Sequence, residues 1–163
     1  VTEFGRSLLA KAGTILARVE YTKSAGGRRI AVTHAGAQVA VRTVFAPESW
    51  PLRVAVYDAG GRPKTAGRVP QDVAGPCCFA GDLITVNRVL PRLEAGDHVA
   101  LLDTGAYYFS NHFAYNALPR PGVYGYACDE QGTRFATVRP PQTLDELVAE
   151  GGAGHAADLS ALR

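Results

Sequence analysis

Short apolar runs broken by turn residues, with no strand–helix–strand rhythm, constrain this chain more than any other feature. Residues 14–23 alternate and are rich in branched and aromatic side chains, the period-2 pattern of a half-buried strand. Ser24-Ala25-Gly26-Gly27 reads as a turn, and residues 29–33 as the returning strand. Residues 52–58 form a further strand closed by Gly60-Gly61, and residues 83–90 another, followed by a turn at Glu94-Ala95-Gly96-Asp97. The run HVALLD at 98–103 suits a strand buried on both faces. Residues 122–128 and 133–139 flank Asp129-Glu130-Gln131-Gly132 as a hairpin. Two helical pieces stand out. One covers residues 143–149, with Thr143 and Glu146 in capping-box spacing and Gly151-Gly152 at its end. The other is a short turn over residues 107–112. Together these predict a mainly β fold, a Greek-key type β-barrel or sandwich with a short C-terminal helix.

A chain of 163 residues can bury the core that such a fold needs, and 47% hydrophobic with 20% charged residues belongs to a folded chain. The net charge of +2 is too small to argue for nucleic acid or an anionic membrane as partner. No apolar stretch approaches the ~20 residues that span a bilayer. The N-terminus lacks the basic and apolar pattern of a signal peptide. Methionine is absent, so Val1 is expected to be an internal residue of a longer protein. The three cysteines are the adjacent pair Cys77 and Cys78, plus Cys128; an odd count with an adjacent pair points to a reducing, cytoplasmic setting. No CxxC or Cys/His spacing suits zinc, so no metal is expected.

Two loops at the edges of apolar runs carry chemistry-bearing groups beside glycines. Gly75-Pro76-Cys77-Cys78-Phe79-Ala80-Gly81-Asp82 brings a thiol, and Asp103-Thr104-Gly105-Ala106-Tyr107 a phenol. Glu3-Phe4-Gly5-Arg6 precedes them, and Phe113-Ala114-Tyr115-Asn116-Ala117-Leu118-Pro119-Arg120-Pro121 follows. In this order the motifs resemble the C-terminal β-domain of the fold-type III, pyridoxal-phosphate-dependent decarboxylases, the diaminopimelate and ornithine decarboxylase family. The likeness runs from Glu3 to about Glu150.

The resemblance implies a division of the chain. Residues 1–10 would be the end of a (β/α)8 barrel and the entry segment, residues 11–150 the C-terminal β-barrel domain, and residues 151–163 a flexible tail. It also implies pyridoxal 5'-phosphate, held mainly by the N-terminal barrel of the parent chain, and a homodimer whose active sites form at the interface. The lysine that anchors the cofactor would lie on that barrel, so these residues alone are expected to be inactive. Glu3 would pair with the pyridine nitrogen, keeping the ring an electron sink. Arg6 would hold the phosphate or the substrate carboxylate with its two-pronged fork. Tyr107 would hydrogen-bond the phosphate. Residues 33–42 resemble a family strand and the arginine after it, which makes Arg42 the candidate for the substrate carboxylate. Cys78 would reach across the dimer as the catalytic thiol, a group whose pKa can be tuned near the working range. Phe79 stands where the family carries an acidic residue that contacts a distal ammonium, and Ala46 and Leu118 depart from the pattern as well. A phenyl ring offers an ammonium only a cation–π contact, which suggests an amino-acid substrate without a free distal amine, or one recognised through other residues.

Blander roles stand beside these. Cysteines are commonly packing residues, and tyrosines are commonly half-buried with satisfied hydroxyls. Cys77 and Cys128 are read as core or edge residues, His34 as a satisfied histidine and Trp50 as a packing anchor. Ser110 and His112 lack the third group that a catalytic pair needs. A reading of another class is a non-catalytic dimerisation or regulatory module derived from the same family. A third is a stand-alone β-barrel that binds a small ligand.

Overall fold

The alternation over the first predicted strand is realised in β1 (Thr14–Ala25), where Ala17 and Val19 are buried while Leu16, Arg18 and Glu20 face solvent. The computed structural model describes residues 1–2 and 4–162. Gly26 and Gly27 both adopt positive φ, 57° and 75°. That is the conformation a tight two-residue hairpin needs, and it returns the chain as β2 (Arg28–Thr33). β3 (Val54–Tyr57), β4 (Arg68–Ala74), β5 (Leu83–Pro91) and β6 (His98–Leu102) complete a curled sheet in the order β3-β6-β1-β2-β4-β5. The mainly β expectation holds. The sheet is a half-barrel whose outer strands, β3 and β5, are not hydrogen-bonded to each other. β6 lies between β3 and β1 with Val99, Ala100 and Leu101 buried, as its unbroken apolar sequence demands.

Two elements differ from the sequence reading. All pairings in the sheet are antiparallel except β2 with β4. A parallel pair needs a long crossover, commonly helical. That crossover contains α2 (Ala37–Phe45), where residues 33–42 were expected to be strand-like. α2 kinks at Ala40 (φ −133°, ψ 40°) and packs against β5. β4 itself carries Pro70, which argues against a central strand. The structure resolves the conflict by register. Residues 72–74 pair with β2, and Pro70 lies before that stretch, paired only with Val89 of β5.

The N-terminal α1 (Gly5–Leu9) and a 3-10 turn, Ala10–Ala12, lead into β1. Thr104 donates its N–H to the Gly13 carbonyl and Gly105 its N–H to that of Ala10. A Cβ on Gly105 would lie 1.9 Å from the Leu9 carbonyl oxygen, so only glycine permits this approach.

The chain divides into two compact units, Val1–Asn116 and Ala117–Arg163. In the second, β7 (Val123–Asp129) and β8 (Gly132–Arg139) pair as the expected hairpin. α3 (Leu144–Glu150) follows, its Thr143 and Glu146 forming the full capping box. Arg120 donates to Glu150 at 3.2 Å. The last residues form a 3-10 turn, Ala153–His155, and α4 (Ala156–Ser160). Among the described residues no helix is long and apolar enough to cross a membrane.

Gly105→Ala is expected to lower unfolding stability by about 1–3 kcal/mol, because the backbone contact has no room to relax. Urea unfolding followed by circular dichroism checks this, and an unchanged midpoint would contradict it.

Candidate functional site

The Cys77–Cys78 loop is fastened from behind by Asp82. This carboxylate is buried and accepts the Ala37 N–H and the Cys77 N–H, each at 2.6 Å, while its main-chain carbonyl accepts the Gly75 N–H at 2.9 Å. Gly36 and Gly75 press so closely on it that a Cβ on either would come within 2.5 Å of a carboxylate oxygen. Cys77 is buried with its thiol toward Gln38 Oε1 at 3.6 Å, and burial pushes that thiol's pKa up. Cys78 is exposed. Its N–H donates to Asn116 Oδ1 at 2.8 Å, and its carbonyl accepts the Tyr115 hydroxyl at 3.4 Å. One cysteine of the pair is thus sunk into the fold, while the other is presented with its backbone held at both ends.

Aromatic rings surround the presented cysteine. Phe79 stacks on Phe45 of α2, with ring centroids 5.6 Å apart and planes 5° from parallel. Phe113 meets Phe45 edge-on at 6.1 Å, and Tyr115 lies 5.2 Å from Phe79 and 5.5 Å from Phe113. Phe45 remains 60% exposed, so this is an open apolar wall rather than a finished core.

A second cluster forms around Trp50, in the turn after α2. The Arg6 and Arg42 guanidinium carbons lie 4.5 Å and 4.4 Å from its ring centroid, and Arg42 also lies 4.6 Å from the Tyr107 ring. Tyr107 packs edge-on against the indole at 5.8 Å. Among the described residues neither guanidinium has a carboxylate partner, and Arg42 Nε is buried without a hydrogen-bond acceptor. Tyr107 and Asp103 both adopt left-handed backbone, φ 70° and 66°. Such conformations are costly outside glycine and tend to persist where surroundings enforce them. An open depression of about 540 Å³ borders this cluster, lined by Phe4, Arg6, Ser7, Lys11, Asp103 and Tyr107 among others.

Comparison with known proteins places this geometry in a family. The family model for the pyridoxal-dependent decarboxylase C-terminal sheet domain matches residues 8–105. The chain belongs to that family. A diaminopimelate decarboxylase of Streptomyces coelicolor is 35% identical over 154 residues, covering 90% of this chain and 34% of the relative. One of Helicobacter pylori is 31% identical over 147 residues, with the same coverage of each. Among crystal structures, a diaminopimelate decarboxylase superposes with a TM-score of 0.77 at 32% identity, covering 90% of this chain and 35% of that one. The Helicobacter pylori enzyme in complex with L-lysine does so with a TM-score of 0.74 at 26% identity. The chain spans about a third of the length of the relatives it matches.

For a member of this decarboxylase family, the structure brings together three of the residues singled out from the sequence, Arg6, Arg42 and Tyr107. It sets Cys78 and Phe79 in the aromatic cluster. Glu3 lies outside the described residues. Two organising residues carried no sequence assignment of this kind. Trp50 had been read as a packing anchor, and it is the surface on which both arginines lie. Asp82 had no role, although the glycines at 75 and 81 on either side of it were a visible hint of crowding. His34 is at the surface, its Nε2 2.9 Å from Glu20.

The anion that the family's cofactor carries fits the Trp50 cluster. Two guanidiniums without acidic partners among the described residues, one with a buried unpaired N–H, and a phenol beside them suit a phosphate or a carboxylate. Lys11 is committed elsewhere. It and Arg53 pair with Asp103 at 2.8 Å and 2.6 Å, and these hydrogen bonds, Arg53 first, hold the Asp103 carboxyl far below the usual carboxylate range. A depressed folded-state value stabilises the fold above the unfolded pKa of about 4 and is lost as pH falls through the folded value. The loop from Asp103 to Tyr107 should therefore keep its anchor down to about pH 4 and loosen below it. Thermal melts between neutral and acid pH check this. Asp103→Asn should melt lower than wild type at pH 7, and the gap should shrink at the acid end.

Proposed function

We propose that the full-length protein is a pyridoxal-phosphate-dependent amino-acid decarboxylase that works as a homodimer, in which this domain completes active sites at the interface. The observation that carries the reading is the convergence of Arg6, Arg42 and Tyr107, from three separate parts of the chain, on one indole, with no acid paired to either arginine among the described residues. Phe4, Leu8 and Leu9 are exposed, which supports cover by a preceding barrel.

When bound, the cofactor ring withdraws electrons from the bond to the departing carboxylate. The chain's own groups do the rest. Arg6 and the Tyr107 hydroxyl would donate to the phosphate, Arg42 would hold the substrate carboxylate, and Glu3, which lies outside the described residues, would be the partner of the pyridine nitrogen. Cys78, reaching the neighbouring subunit's site, holds a proton for the carbon that loses CO2. Its fixed backbone supports this, because a donor must be aimed to within tenths of an ångström. Residues 1–163 alone are inactive in this reading. Lys11 and Lys64 are tied to Asp103 and Asp97, and Lys23 is exposed on β1. These commitments support an anchoring lysine on the preceding barrel rather than here. The free thiols suit a reducing cytoplasm.

The substrate in this reading lacks a free distal amine. Phe79 lies in a parallel stack, and the carboxylate of its loop, Asp82, is buried and occupied by backbone N–H groups. An ammonium would find no counter-charge on this loop, whereas a neutral or apolar side chain would find a wall of four rings.

The test uses the full-length protein and a panel of amino acids, with CO2 release and the cofactor's absorption followed together. Cys78→Ala should keep the absorption and lower kcat by about 100-fold or more. Absorption with turnover indifferent to Cys78 would instead leave the domain as a dimerisation or regulatory module. In the same panel Phe79→Glu should shift kcat/KM by about tenfold or more toward substrates with a distal ammonium, the worth of one charged hydrogen bond. No shift would remove Phe79 from the specificity argument.

A further inference from the structure

We infer that Trp50 is a positioning residue, an aromatic platform that holds both Arg6 and Arg42 while leaving their N–H groups to the anions they serve, the cofactor phosphate for Arg6 and the substrate carboxylate for Arg42. Guanidinium groups in proteins are usually fixed by carboxylates, which occupy the same in-plane donors that a ligand would need. Here both groups lie over one ring, their central carbons 4.5 Å and 4.4 Å from its centroid. A ring contact of this kind uses none of the five in-plane donors as a hydrogen bond to an acid. An aromatic face is also the partner that tolerates two cations at once, since its quadrupole attracts each without neutralising either.

The backbone that carries the ring is held on both sides. The main-chain N–H of Trp50 donates to the Ala46 carbonyl at 2.9 Å. The Trp50 carbonyl accepts the Thr43 hydroxyl at 2.9 Å, and that hydroxyl lies 2.9 Å from the hydroxyl of buried Tyr108. The Tyr107 ring closes the edge at 5.8 Å. The buried Arg42 Nε has no hydrogen-bond acceptor among the described residues, and this is the independent sign that a ligand belongs there.

This inference rests on the reading that Arg6 serves the cofactor phosphate and Arg42 the substrate carboxylate, and the test follows the two separately. In the full-length protein Trp50 is replaced by 5-fluoro-, difluoro- and trifluorotryptophan. This drains charge from the ring face at nearly constant shape and so spares the fold. Binding of inorganic phosphate and of pyridoxal 5'-phosphate is measured by titration, and kcat and KM are measured for the amino-acid substrate. Affinity should fall stepwise with fluorination, by about tenfold over the series, because two cation–π contacts weaken together. A fall in phosphate affinity supports the platform under Arg6. A rise in KM at constant kcat supports the platform under Arg42. Arg6→Gln and Arg42→Gln serve as controls. If they weaken binding while the fluorinated series stays flat, the anion site stands and the role of Trp50 is overturned. If they too change nothing, the anion reading falls and Trp50 falls with it.

Discussion

Asp82 is nearly inaccessible to solvent, yet it needs no cationic partner, because its carboxylate is met by the N–H groups of Ala37 and Cys77. Two charge-assisted hydrogen bonds from backbone are worth more than neutral ones and are lost together if the carboxylate is removed. The consequence reaches both clusters. Ala37 opens α2, and Cys77 opens the loop that presents Cys78, so one side chain sets the distance between the helix and the loop. Gly36 and Gly75, which would collide with it if they carried a Cβ, show how little slack this junction has. The thiol's exposure, the Phe79–Phe45 stack and the start of α2 all follow from the same buried group.

α2 then distributes what Asp82 fixes. Its Gln38 meets Cys77 and accepts the Phe113 N–H, its Arg42 lies on Trp50, and its Phe45 stacks on Phe79. Its N-cap residue, Gly36, supplies no side-chain cap, and the helix is broken at Ala40. A helix of nine residues with these faults is marginal by itself in water. Its stability comes from tertiary contacts, and those contacts are the site.

That dependence explains which parts of the molecule could be read from the sequence. The β1–β2 hairpin, the β7–β8 hairpin and the capped α3 are local devices. Two glycines at positive φ, a four-residue turn and a Thr/Glu pair suffice to specify each, and each formed where expected. β4 and α2 are not local. β4 is a strand because β2 and β5 pair with it, despite Pro70, and α2 is a helix because a distant aspartate caps it. No window of a dozen residues holds that information. Within the clusters, motif order picked out Cys78, Arg42 and Tyr107 as residues to watch, but Trp50 and Asp82 matter through space. A lone tryptophan before a proline has no spacing that announces two arginines above it.

The proposed dimer gives α2 a further consequence. Arg42 and Phe45 are three residues apart in the segment after the Ala40 kink, a spacing that leaves their Cβ atoms about 5–6 Å apart on one side of a helix. In the proposed arrangement Arg42 serves the active site of its own subunit, while Phe45, through Phe79 and the Cys78 loop, serves the site of the neighbour. One helical turn would then carry a cation for one site and an aromatic support for the other, with no flexible connection between them. The kink at Ala40 falls on the N-terminal side of both residues, between them and the Asp82 anchor. Arg42 and Phe45 therefore share one unbroken turn, so a substitution that displaces this turn would be expected to reach both proposed sites rather than one.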